Sequence, residues 1–239
     1  MNMDSLLLSL LLSLLAGATI PLGAYVASIE HIRPLWLESE FRHGVIAFGG
    51  GALLAAVSLV LVPEGVAELS LFWIVTCFSA GGIVFFLIDR LIARRGGAGG
   101  QVMAMLLDFI PEAIALGAAL ATGKPVGFLL ALLIAMQNFP EGFNAYREIS
   151  AGSNQKPKAL LACFLALAMF GPAAAFLGHQ FLADSPALIG GVMLFAASGI
   201  IYLTFEDIAP QAVLQAHWAP PLGAVAGFLL GLVGSIVIS

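Results

Sequence analysis

The chain has 239 residues, of which 61% are hydrophobic and 10% charged, with a net charge of -5. A soluble domain carries about 25% charged residues, so the composition excludes a protein dissolved in water. The nine lysines and arginines form no stripe, which argues against nucleic acid as a partner.

Runs of about 20 apolar residues follow one another with short gaps, the mark of a polytopic membrane protein. Each span must satisfy its own backbone in lipid, so the expected class is all-α. Eight transmembrane helices are expected, at roughly 6–29, 44–63, 70–90, 101–122, 126–147, 159–182, 187–208 and 219–238, in a single membrane domain over 1–239. The opening MNMDSLLLSLLLSLLAG lacks the basic start of a secretory leader and reads as the first span. The segment EHIRPLWLESEFRH at 30–43 reads as a loop, either solvated with Trp36 at the interface or lying along the membrane surface.

Small residues crowd the next two spans, in FGGGALLAA at 48–56 and SAGGIVFF at 79–86. They let helices approach closely in lipid, and they leave open a contact with a second copy of the chain, a homodimer. Cys77 and Cys163 fall inside apolar runs and read as packing residues. Arg33, Arg42, Arg90, Arg94, Arg95, Arg147, Lys156 and Lys158 lie in or beside odd-numbered loops, and only Lys124 lies in an even one. This bias places odd loops in the cytoplasm and both termini outside it, with the chain in the cell (inner) membrane.

Two stretches break the apolar pattern. MLLDFIPEAIALGA at 105–118 and IAMQNFPEGFNAY at 134–146 each set a carboxylate directly after a proline. Residues four apart share a helix face, so Asp108 pairs with Glu112 and Gln137 with Glu141. Pro111 and Pro140 each free the carbonyl four residues earlier. Two such helices, joined by a short turn at 122–126, bring three carboxylates and an amide together near mid-membrane.

A charged carboxylate at the bilayer centre costs at least about 2.5–3.5 kcal/mol. No lysine or arginine lies in these two spans to offset it. The acids either stay protonated as packing groups or hold a visiting cation. The donor set of Asp108, Glu112, Gln137 and Glu141, with Asn138 as a further oxygen, suits a hard or borderline divalent ion. Without histidine or cysteine it is not a dedicated tight zinc site, and weak binding suits a carrier that must release. No cofactor is expected; the ion, of the Zn2+, Fe2+ or Mn2+ kind, is cargo.

Glu64 with Glu68, and Glu206 with Asp207, stand near span ends beside prolines. They read either as vestibules along an ion pathway or as solvated helix ends. His31, His43, His179 and His217 all fall at loops or span ends.

These residues resemble the ZIP family of divalent-metal transporters, most closely its prokaryotic branch. That family reads H-N-x-P-E-G in its fourth span and Q-N-x-P-E-G in its fifth. The counterparts are Asp108-Phe109-Ile110-Pro111-Glu112-Ala113 and Gln137-Asn138-Phe139-Pro140-Glu141-Gly142. FGGGALLAAVSLVLVPEG and FAASGIIYLTFEDIAP add to the likeness in the second and seventh spans. The resemblance implies metal uptake towards the cytoplasm at a site between the fourth and fifth spans. It also implies that spans one, four, five and six move as a block, elevator fashion. Glu112, Gln137 and Glu141 match the family's primary site, and Asp108 stands where histidine is usual. Phe109, Gly171 and Leu53 stand where the family's second site has asparagine, glutamate and methionine. The expectation is therefore a single ion in an oxygen-rich site.

Rival functions are weaker. An intramembrane aspartyl protease would pair Asp89 with Asp108, but no G-x-G-D sequence occurs and Asp89 reads as a capped span end. No enzyme is expected. The remaining alternatives are a proton-coupled carrier of a small organic solute and a ZIP-like sensor that does not transport.

Overall fold

The computed structural model describes residues 3–30, 35–95, 98–152, 155–213 and 219–238. Helix is the only regular structure among them. The order is α1 (Met3–Ile29), α2 (Leu35–Ala56), a π-helical turn at Val57–Leu61, α3 (Val62–Ala67), α4 (Leu71–Arg95), α5 (Ala98–Ala121) and α6 (Val126–Gly152). There follow α7 (Pro157–Ala168), α8 (Phe170–Phe181), α9 (Pro186–Leu203), a second π-helical turn at Thr204–Ile208, α10 (Ala209–Gln211) and α11 (Ala219–Ile238). His31, Arg33 and His217 lie outside the described residues, as does the side chain of Trp36.

Seven stretches among the described residues are long and apolar enough to cross a membrane: Met3–Ile29, Ser39–Ala67, Leu71–Ile92, Val126–Gly152, Pro157–Phe181, Pro186–Gln211 and Pro220–Ile238. The chain is thus an all-helical, multi-pass membrane protein. Helix α5 has 24 residues and carries Asp108 and Glu112; it stands beside these seven without being one of them.

Three boundaries differ from the sequence expectation. Helix α2 begins at Leu35, so most of the expected loop at 30–43 is helical. No glycine or proline interrupts 35–43, and the His43 ring bonds to the Ser39 carbonyl at 2.6 Å. The expected span at 159–182 is two helices meeting at Met169. Pro172 lacks an N–H, and its ring crowds the carbonyl of Ala168 four residues back, which ends α7 there. The second and seventh spans each pass through a π-helical turn just before a proline, Pro63 and Pro210.

The helices pack as two sets. Helices α1, α5, α6, α7 and α8 pack on one another, as do α2, α3, α4, α9, α10 and α11. The sets meet mainly where α2 lies against α6 and α9 against α5. Glycines show how differently these contacts are made. A Cβ at Gly23 or Gly142 would strike the backbone carbonyl of Phe139 or Ile20, and one at Gly117 or Gly178 that of Ala175 or Ile114. All of these lie inside the first set. In the second set, Gly51 meets the Ala224 carbonyl, Gly81 that of Phe195 and Gly227 that of Phe48. Between the sets, the nearest atoms to Gly49 and Gly234 are side-chain carbons: Pro140 Cγ at 2.9 Å and Leu129 Cδ1 at 3.0 Å from the added Cβ. Backbone touches backbone within each set; side chains face glycines across the seam. The glycines of the second and third spans are therefore used inside the chain.

Polar groups follow the same division. Arg147 pairs with Glu30 inside the first set, and Tyr202 donates to Asp89 at 2.9 Å inside the second. Asp89 is thus held by a neighbouring helix instead of capping its own. Cys77 is half-buried and Cys163 is exposed, so the latter faces out of the bundle and does not pack within it.

Candidate functional site

Helices α5 and α6 are antiparallel neighbours joined by the turn Thr122–Pro125. Gly123 gives that turn its left-handed residue, with φ of 72°. The turn brings the two proline-bearing faces together. Glu112, Gln137 and Asn138 are completely buried, and Asp108 is 4% exposed. The Gln137 amide donates to Asp108 Oδ2 at 3.2 Å and to Glu112 Oε2. Glu141, one turn beyond Gln137, lies within hydrogen-bonding reach of Asp108. Such a contact between two carboxyl groups needs one proton. Asn138 points elsewhere, donating to the Ala16 carbonyl of α1 at 3.2 Å.

The cluster is rich in acceptors and poor in donors. Asp108 Oδ1, Glu112 Oε1, Gln137 Oε1 and Asn138 Oδ1 are all buried, and no donor reaches them. Each such atom costs about 1–3 kcal/mol if left unpaired. Among the described residues, no three histidine, cysteine, aspartate or glutamate side chains converge as a ready metal cage. The Gln137 amide stands between the acids instead.

Asp108 and Glu141 also line a cavity of about 60 Å³ with Met105, Leu53, Asn144, Asp207 and Gln211. No lysine or arginine lines it. It runs from the cluster away from the Thr122–Pro125 turn. Asn144 donates to Gln211 Oε1 at 2.7 Å, and Gln211 donates to Asp207. Arg42 reaches Asn144 Oδ1 at 3.4 Å.

The other sequence candidates divide. Asp207 lines the cavity, whereas Glu206 is exposed and does not. Glu64 lies beyond the cluster towards the turn, where Lys124 binds it at 2.7 Å and Glu68 at 3.5 Å. Leu53 lines the cavity wall with an apolar side chain. Phe109 is buried with its ring tip where Cβ atoms on Gly17 and Gly171 would lie, at 2.9 and 2.5 Å. The ring thus fills the space between α1, α5 and α8. His179 is buried in the last turn of α8, bonded to Ser5 Oγ at 3.1 Å, away from the acids.

Met105, Asn144 and Gln211 were not singled out from the sequence. Met105 precedes Asp108 by three residues and Asn144 follows Glu141 by three, so both share the acids' helix faces. That spacing was the available signal; Gln211 had none. Against known proteins, the chain matches no family model and no curated relative.

Proposed function

We propose that the chain is a transporter of a divalent metal ion, ZIP-like in character, with one ion held between α5 and α6. The observation that carries this is the set of four buried, donorless oxygens on two adjacent proline-interrupted helices. A cation is the group that would satisfy them together. In the ion-free state the Gln137 amide hydrogens stand in for it. On binding, Gln137 turns its oxygen inward and joins Asp108, Glu112 and Glu141, while the proton between Asp108 and Glu141 leaves.

The Phe109 ring favours a single ion, because it occupies the volume beside the cluster where further ligands would sit. All donors are oxygen, which suits Mn2+ or Fe2+ as well as Zn2+. In this reading α5 is the eighth span, both termini are extracytoplasmic, and the chain lies in the inner membrane. The first helix set moves against the second, and Asp207 and Gln211 line the way out to the cytoplasm.

A carrier of organic solutes fits less well. Small-molecule pockets measure about 300–1,000 Å³, against about 60 Å³ for this cavity. The test is metal uptake into proteoliposomes. Uptake should be saturable with the intact chain and lost in Glu112→Ala and in Glu141→Ala. Undiminished uptake in both variants, or none in the intact chain, rejects the reading.

A further inference from the structure

We propose that Lys124 is a latch: it ties the α5–α6 turn to the end of α3, and its release lets the oxygen cluster open at that end of the bundle. The proposal rests on the transport reading, in which the cluster must be reached from both ends.

The geometry points to it in three ways. First, the pair crosses the seam. Lys124 belongs to the first helix set, and Glu64 and Glu68 to the second. The other ion pair, Arg147 with Glu30, stays within one set. Second, the turn is stiff, so Lys124 reports the position of the site helices. Its backbone is bonded from Lys124 N–H to the Ala119 carbonyl at 3.2 Å and from Gly127 N–H to the Lys124 carbonyl at 3.2 Å. Glu64 and Glu68 are one helical turn apart and hold the ammonium between them. Third, the two ends differ. The cavity extends from Asp108 and Glu141 towards Asn144 and Gln211, and it does not reach the Lys124 end. There the seam-crossing bonds are the amide contact of Asn144 with Gln211 and the long reach of Arg42 to Asn144.

An ordinary surface ion pair would look similar at close range. It would not need to join two bodies, nor stand at their closed end. Lys124 is also partly exposed, with 42% of its side chain accessible. Such pairs are individually weak, which suits a latch that must open in every cycle.

The test uses the full chain in proteoliposomes without metal, with Cys77 and Cys163 replaced by serine. Leu61 is completely buried one residue before α3, so Leu61→Cys serves as the reporter of opening. Thiol labelling at that position should rise roughly threefold to tenfold in Lys124→Gln, as expected from losing one or two weak pairs. It should rise equally in Glu64→Gln with Glu68→Gln, which removes the same pairs from the other side. The exchange of Lys124→Glu with Glu64→Lys should bring labelling back towards the starting level. Unchanged labelling in the first two variants overturns the latch, as does a rise that the exchange leaves untouched. Labelling needs no metal, so a rise with no metal uptake by the intact chain would reject the transport reading and leave the latch standing. Uptake with flat labelling would reject the latch alone.

Discussion

The Gln137 amide bridges Asp108 and Glu112, giving one hydrogen bond to each carboxylate. These are the donors that two buried acids on α5 receive from the neighbouring helix. Replacing Gln137 by leucine removes both and adds no charge. The ion-free protein should lose about 1–3 kcal/mol of stability, measured by denaturant unfolding in detergent. Metal should restore less of it than in the intact chain, since an oxygen ligand has gone as well.

Ion preference should shift with one side chain. Imidazole suits zinc better than a carboxylate does, and Asp108 faces the cavity. Asp108→His should raise zinc affinity relative to manganese by roughly tenfold, a size set by exchanging one ligand for a softer one. Titration calorimetry with the two ions checks this, at a stoichiometry of one ion per chain. An intact chain that takes up two ions would contradict the role given to Phe109.

Phe109 and Gly171 should behave as one unit. A methyl at Gly171 would lie 2.5 Å from the ring tip and 2.9 Å from the Ser13 carbonyl. Gly171→Ala should cost about 1–3 kcal/mol by overpacking. Combining it with Phe109→Leu should recover part of that loss, because the ring tip is the nearest obstruction. The Ser13 carbonyl remains, so recovery should be incomplete in a double-mutant thermal unfolding cycle.

Glycine positions should separate into two kinds. Gly142→Ala would drive a methyl into the Ile20 backbone, and the folded chain should be lost or severely weakened. Gly123 has open space around it but a φ of 72°. Alanine there should cost only the left-handed strain, about 1–2 kcal/mol. Expression and detergent stability of the two variants measure the contrast.

The latch should respond to alkali. The hydrogen bond from Glu64 pushes the Lys124 ammonium above the ordinary lysine range, with Glu68 adding to it. A raised value means the pair contributes fully below the unfolded lysine value and is lost as pH climbs through the higher folded one. Labelling at Leu61→Cys should therefore be flat through neutral pH and rise only in strong alkali, after correction for the thiol's own ionisation. In Lys124→Gln that alkaline rise should be absent.

Much of the site was legible because its pairs are local. Asp108 with Glu112 and Gln137 with Glu141 are four residues apart, and a short turn forces their helices together. What crosses between distant helices left no trace in the pattern. Lys124 and Glu64 are 60 residues apart, and Asn144 and Gln211 are 67 apart. Tertiary packing alone decides such partners. The start of α2 at Leu35 was missed because its mixed charge looked like a loop, though residues 35–43 contain no helix breaker. The π-helical turns lie before prolines that were noticed, but a proline announces a disturbed ladder without saying which kind.

Gly23 meeting the Phe139 carbonyl, and Gly227 that of Phe48, have a mechanical meaning. Main chains locked this closely cannot roll past each other, so each half of the molecule behaves as a stiff rod. At the boundary, proline and leucine carbons ride over glycine surfaces that offer no ridge to catch. A push at one face of the membrane then arrives at the other with little absorbed by bending, and friction along a smooth track sets the pace.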